Sequence, residues 1–237
     1  MTHKIIQRIQ GFVLQHKTLK YMAVALLLHA VNFPLARLWY ATRLRHLVAQ
    51  AAPGRVWLHL ACGKHLLSEW INIDIISSSP GPEILLDLRK SLPLSDNTID
   101  LICSEDFIEH LELADGRRML RECYRVLRPG GMMRLLTPNL RVLAAKYVER
   151  SPELLEWYNH HYGTTCFAEI LNHGMRSWGH RFIYDDEMLM RELQAIGFFP
   201  QLQTHNQSSN PFLCGLDRID TQEAKYRMYF DCTKPLT

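Results

Sequence analysis

The stretch Val56-Trp57-Leu58-His59-Leu60-Ala61-Cys62-Gly63, followed after a short interval by Trp70-Ile71-Asn72-Ile73-Asp74, decides how this chain is read. Each half opens with an apolar run too short for a helix, and each run ends on residues that turn the chain. The pattern then repeats. Glu83 to Leu86 reads as a third strand, Ile99 to Cys103 as a fourth, and Met132 to Thr137 as a fifth, stopped by Pro138. Between the fourth and fifth, Met119, Leu120, Cys123, Val126 and Leu127 recur at helical spacing over residues 115–127, and Pro129-Gly130-Gly131 is expected to break the chain. Further helices are expected at 139–149, 152–161 and 185–196, and strands at 198–204 and 225–232. Strands alternating with helices need crossover connections. The fold class is therefore α/β, a mostly parallel sheet with helices on both faces and its last strands antiparallel.

With 237 residues, 47% hydrophobic and 22% charged, the chain can bury one sizeable core. Its six cysteines are scattered with no C-x-x-C pair, so neither a metal site nor a disulfide framework is indicated, and a reducing, cytoplasmic setting is expected. No acidic residue precedes Glu69, whereas Lys4, Arg8, Lys17, Lys20, Arg37, Arg43, Arg45, Arg55 and Lys64 all do, so the net charge of +3 conceals a basic amino-terminal end. The apolar run from Tyr21 to Val31 carries His29 and is followed by Asn32 and Pro34, well short of the roughly 20 residues of a spanning helix. We read helices at 4–16, 18–32 and 35–50, making residues 1–50 a helical cap or active-site lid on a domain of residues 51–237. A membrane-surface anchor is the competing reading of these basic helices. No basic stripe with interleaved aromatics points to nucleic acid.

In an open sheet of this kind, ligands sit beyond the carboxyl ends of the strands, where strand order reverses. The Ala61-Cys62-Gly63 turn lets backbone approach a ligand, and Asp74 can accept hydrogen bonds from two neighbouring ribose hydroxyls. Asp87 can accept from an adenine amine while Leu88 covers the ring. Singly, each feature is commonplace, since an Asp at a strand end is most often a turn or cap residue. Their order and spacing carry the weight. The interval from Gly63 to Asp74 is shorter than the roughly 20 residues of the dinucleotide fingerprint, which argues against NAD.

From about Val56 to Asn139 the chain resembles the class I methyltransferases of the methyltransferase type 11 kind, and in particular a compact bacterial subgroup. The resemblance rests on Leu58 to Gly63, Trp70 to Asp74, Asp87-Leu88 with Leu92 to Ile102, Glu109-His110-Leu111, and Leu127-Arg128-Pro129-Gly130-Gly131. It implies a Rossmann-like class I methyltransferase fold, with the amino-terminal helices as an extension, and S-adenosyl-L-methionine as cofactor. Ala61, Cys62 and Gly63 would line the methionine part, Asp74 the ribose, and Asp87 and Leu88 the adenine. Ser104 to Phe107, Asp106 among them, would close over the sulfonium. One departure is Ala61, where the family usually has glycine. An alanine there is expected to hold a negative φ or to reshape the loop.

Methyl transfer needs in-line alignment of a nucleophile and exclusion of water, with a base where the acceptor is a hydroxyl. His110, just after the fourth strand, and Asn139, just after the fifth, are the first candidates, though a helix-start histidine and a helix-capping asparagine are the plainer readings. Tyr184 with His180, and Ser208 after the sixth strand, complete the catalytic set. Trp157, Tyr158, His160, His161 and Tyr162 lie at helical spacing and read as core and surface. The expected function is methyl transfer to a small molecule or saccharide. Two alternatives stand beside it: a relative that closes the cofactor's own amine onto its side chain, giving azetidine-2-carboxylate and methylthioadenosine, and a non-catalytic cofactor-binding or membrane-surface protein.

Overall fold

Seven strands make one sheet: β1 (Trp57–Leu60), β2 (Ile71–Asp74), β3 (Ile84–Leu85), β4 (Ile99–Glu105), β5 (Leu127–Pro138), β6 (Phe199–Gln203) and β7 (Arg227–Thr233), in the order β3-β2-β1-β4-β5-β7-β6. The computed structural model describes residues 32–76, 81–218 and 224–236, so the helices expected at 4–16 and at 18–32 up to Val31 lie outside the described residues. β1 pairs in parallel with both β2 and β4, and β7 runs antiparallel between β5 and β6. The expected strands are all present, with β4 running two residues further, to Glu105. Pro129-Gly130-Gly131 does not break β5. The strand begins at Leu127, opposite Ile99, and the ladder absorbs the irregularity between Ile99 and Leu101 while Gly130 N donates to the Lys234 carbonyl at 2.8 Å.

The side chains of Leu58, Leu60, Ile73, Ile102, Met133 and Leu135 meet the apolar stripes of three helices in one core. These are α1 (Pro34–Gln50) through Leu44, α2 (Leu113–Val126) through Met119, Leu120, Cys123 and Val126, and α6 (Asp186–Ile196) through Leu189 and Leu193. Leu44 is completely buried, so α1 shares the core of the sheet. Arg45 also binds the Pro93 carbonyl at 2.9 Å, which holds α1 over the β3 side of the molecule. Alternate positions on β1 and β4 send Trp57, Leu101 and Cys103 the other way, where Trp70 and Leu213 cover them. Three further helices, α3 (Leu140–Val148), α4 (Pro152–Tyr162) and α5 (Phe167–Arg176), pack together through Leu143, Leu154, Tyr158 and Ile170. α5 was not anticipated, because its stretch FAEILNHGMR carries a glycine and two polar breaks in the apolar repeat. No helix among the described residues is long and apolar enough to cross a membrane.

Arg134 of β5 is fully buried and binds Asp217 at 2.7 and 3.1 Å, Asp231 of β7 at 3.0 Å and the Thr204 carbonyl at 3.2 Å. A buried guanidinium is tolerated only when its donors are matched in this way. His59 of β1 is buried too, with its Nδ1 3.1 Å from Asn72 Oδ1. Burial drives this imidazole down to about 4, against the pull of the Asn72 hydrogen bond. In the unfolded chain the ring takes its proton near about pH 6.5, so between about 6.5 and 4 the unfolded chain binds the extra proton. Stability from His59 is accordingly complete above about pH 6.5 and falls by about 3 kcal/mol as the pH drops to 4. Urea unfolding at pH 7, 5.5 and 4 should show this acid loss in the native chain and a flatter profile in His59→Gln.

Candidate active site

Beyond the carboxyl ends of β4 and β5 lies a cavity of about 330 Å³, within the range of small-molecule sites. Trp157, Tyr158, Tyr162, Trp178 and Tyr226 give it aromatic walls, while Glu109, His110, Asn139, His180 and the ion-paired Asp106, Arg218 and Arg227 supply its polar groups. The 3-10 turn Ile108–His110 places Glu109 and His110 directly after β4. Glu109 is wholly buried. Its Oε2 accepts from Thr137 Oγ1 at 2.9 Å, its carbonyl accepts from the Arg181 and Phe182 amides at 2.7 and 3.1 Å, and its Oε1 has no hydrogen-bond partner. Burial, reinforced by the nearby Asp106 carboxylate, pushes this carboxyl up to about 8.

His180 is drawn in from the far side. Its ring meets that of His110 edge-on at 5.0 Å, and its Nδ1 lies 2.8 Å from the Gly174 carbonyl. Burial lowers its pKa, so the neutral ring donates from Nδ1 and keeps its lone pair on Nε2. A Cβ at Gly174 would stand 2.4 Å from Leu143 Cδ2, so the Leu143 side chain would have to shift to admit one. Just before His180, Trp178 holds a left-handed φ of 59°, a conformation that costs a bulky residue of order 1–3 kcal/mol and persists only where packing dictates it.

The second region is the crevice where strand order reverses, between the carboxyl ends of β1 and β4. Ala61 and Gly63 both hold φ of 55°, and Cys62 N donates back to the Ile73 carbonyl at 3.2 Å. Asp74 Oδ2 accepts from Gly63 N at 2.8 Å, and its Oδ1 accepts from the Ile75 and Ile76 amides at 2.6 and 2.8 Å. One carboxylate thus ties the loop after β1 to the loop after β2. Asp87 is held by Arg89 Nε and Nη2, both at 2.9 Å, and by Asn32 Nδ2 at 2.9 Å. Burial works against its ionisation, but those hydrogen bonds outweigh it and keep the carboxyl below its usual range.

A family model described as a methyltransferase domain matches residues 58–135, from β1 into β5. A probable S-adenosylmethionine-dependent methyltransferase of Mycolicibacterium smegmatis is 46% identical over 48 residues, 20% of this chain and 18% of the relative. Another, of Mycobacterium tuberculosis, is 40% identical over 63 residues, 27% of this chain and 22% of the relative. The segment from β1 into β5 is thus similar to S-adenosylmethionine-dependent methyltransferases. Its matches span only 18% and 22% of the length of these two curated relatives. Among solved structures, a SAM-dependent methyltransferase from Archaeoglobus fulgidus is 16% identical, with a TM-score of 0.47, over 84% of this chain and 94% of that one.

The matched relatives are S-adenosylmethionine-dependent by name, and the crevice residues fit that cofactor. A Cβ built on Gly63 would meet nothing within 4 Å, which leaves open space over the turn. Ser104, opposite Leu60 in the β1–β4 ladder, has a buried hydroxyl with no hydrogen-bond partner. Asp74 retains acceptor capacity beside its backbone bonds, since a carboxylate offers about four lone-pair sites. At Asp87 all four directions are taken by Arg89 and Asn32, so an adenine amine reaches it only by displacing one of them. Leu88 is buried beside it.

Of the four residues expected at the reacting end, His110 and Asn139 line the cavity and Tyr184 and Ser208 do not. Asn139 also caps α3, accepting from Arg141 N at 2.9 Å. Tyr184 is buried in the main core, its ring 4.9 Å from that of Phe182, and its hydroxyl lies 2.7 Å from the Cβ position of Gly116. Ser208 donates to Asp231 at 2.7 Å within the Arg134 charge cluster. Glu109 and Arg227 were missed as site residues. Glu109 stood within a quoted motif, and the signal for Arg227 was its place at the start of a strand aimed at the same edge.

Of the two alternatives expected at Ala61, a negative φ or a reshaped loop, the negative φ does not hold, since φ is 55°. The alanine adopts the left-handed conformation because the two residues after it are anchored, Cys62 N to the Ile73 carbonyl and Gly63 N to Asp74. Replacing Ala61 with glycine should relieve about 1 kcal/mol of strain, which raises the thermal midpoint by about 2–4 °C for a chain of this size. Differential scanning calorimetry checks it.

Proposed function

We propose that this chain transfers a methyl group from S-adenosyl-L-methionine to a small molecule held in the aromatic-walled cavity. The observation that carries this is the position of Asp106, which lines the cavity and comes two residues after Ser104, the partner of Leu60 where β1 runs into the Ala61–Gly63 turn. Donor crevice and acceptor cavity therefore meet at one turn. Asp106 holds φ of 48° and binds Arg218 and Arg227, so the junction is rigid and its charges are matched.

When bound, the cofactor supplies a methyl group already activated by its sulfonium. What the chain contributes is placement: Asp74 accepts from a ribose hydroxyl at its one remaining lone-pair site, Gly63 leaves room for the methionine part, and Ser104 and Asp106 border the reacting end. His110 and Asn139 orient the acceptor and manage its proton, while the aromatic walls keep water out. Of the expected cap of residues 1–50, the described part is α1. No cavity-lining residue belongs to α1, whose Leu44 instead fills the core beside β3, so its described part favours a buttress over a lid.

Incubating the full-length protein with S-adenosyl-L-methionine and a panel of small hydroxy, amino and thiol compounds should yield S-adenosylhomocysteine. Methylthioadenosine as the sulfur product would instead point to attack on another carbon. Asp74→Ala should weaken cofactor binding by about 1–3 kcal/mol through lost charge-assisted hydrogen bonds, measured by calorimetry. His110→Ala should leave that affinity within about twofold while lowering turnover by about 100-fold, the size of effect typical of a proton-handling group.

A further inference from the structure

Glu109, His110 and His180 each offer one ligand atom, and these atoms lie within 4.8 Å of one another at the polar end of the cavity. We propose that the three side chains bind a divalent transition-metal ion, with Zn²⁺ as the fitting case. Two imidazoles and a carboxylate are the donor set of catalytic zinc sites, which leave a further position for water or substrate. Ligands at about 2.0–2.2 Å from one ion stand about 3.4 Å apart, so closure requires small side-chain rotations.

Three observations beyond proximity support the site. Glu109 Oε1 is buried with no hydrogen-bond partner, a costly state that a cation beside it would relieve. Its second oxygen is fixed by Thr137, and His180 Nδ1 is fixed by the Gly174 carbonyl, which are the outer partners that orient metal ligands and set the imidazole tautomer. The Arg181 and Phe182 amides both donate to the Glu109 carbonyl, so the segment carrying His180 is fastened to the turn carrying the other two ligands. No such cluster was visible in the sequence, because His180 is remote from the Glu109-His110 pair.

The open position of the ion faces the cavity. There it would bind an acceptor hydroxyl and lower its pKa, the proton leaving to solvent. The oxygen then forms its bond to the methyl carbon as the carbon–sulfur bond breaks, with the electron pair remaining on sulfur. This chemical role rests on the methyl-transfer reading. Binding of the ion does not.

The test uses the full-length chain, stripped with EDTA and dialysed. Calorimetric titration with Zn²⁺ should show one ion per chain, and Co²⁺ should give the visible absorption of a nitrogen- and oxygen-ligated site. Glu109→Gln and His180→Ala should each weaken Zn²⁺ binding by at least about 100-fold, since changes to outer partners alone cost 10–100-fold. His180→Asn serves the same purpose if the alanine variant fails to fold. The double variant His160→Ala/His161→Ala, on α4 and exposed, should bind as the native chain does. Absence of Zn²⁺ binding, or binding that survives in His180→Ala and His180→Asn, overturns the site. Cofactor binding and S-adenosylhomocysteine formation are read on the same samples, so a chain that binds Zn²⁺ but transfers no methyl group overturns the functional reading and leaves the metal site standing.

Discussion

The parallel pairing of β1 with both β2 and β4 is the constraint on which the rest of the molecule depends. Each parallel neighbour needs its own crossover, and because the chain leaves β1 in one direction and later returns on its other side, the connections diverge above it. That divergence opens the crevice between the Ala61–Gly63 turn and the end of β4. Its geometry is then held by few atoms: Asp74 reaches back to Gly63, and the alanine beside it bends into a conformation it does not favour. A crevice fixed by backbone amides has little reorganisation left to do when a ligand arrives.

The cavity next to it is assembled from much more distant parts. Glu109 binds β5 through Thr137 and the 181–182 segment through its carbonyl, so a single residue after β4 sets where two other pieces of chain lie. Charge is concentrated at the same place but is compensated group by group: Asp106 lies between Arg218 and Arg227, and Glu105 accepts from Arg218. Placing paired charges at the rim and orphaned polar atoms deeper in gives the pocket a polar end without a large net field.

The parallel half of the fold was legible because its signals are local. Four short apolar runs, each closed by a turn residue, identify β1 to β4, and Asp185 and Gly197 mark both ends of α6 as cap residues should. Asp74 could be read for the same reason, since its main partner, Gly63, is eleven residues away. What escaped depends on tertiary contact. Ser208 looked like a site residue from its loop, yet its hydroxyl belongs to the Arg134 cluster, and nothing near position 208 announces a guanidinium on β5. Pro129-Gly130-Gly131 looked like a breaker, because propensity cannot see that Lys234 will bond Gly130 and carry the strand through. His180 and Glu109 are brought together by the bonds of the Arg181 and Phe182 amides to the Glu109 carbonyl, a contact that no local signal announces.

Arg134 carries a consequence for the order in which the chain becomes structured. Its two carboxylate partners follow it by 83 and 97 residues, so a ribosome-bound chain displays β5 well before either exists. Stripping water from an uncompensated guanidinium is expensive enough to keep that edge of the nascent sheet hydrated. β6 cannot close it early, because it joins the sheet only through β7. The parallel half, whose strand pairings are complete by β5, can therefore settle first, and the antiparallel half adds as a later step once Asp231 arrives.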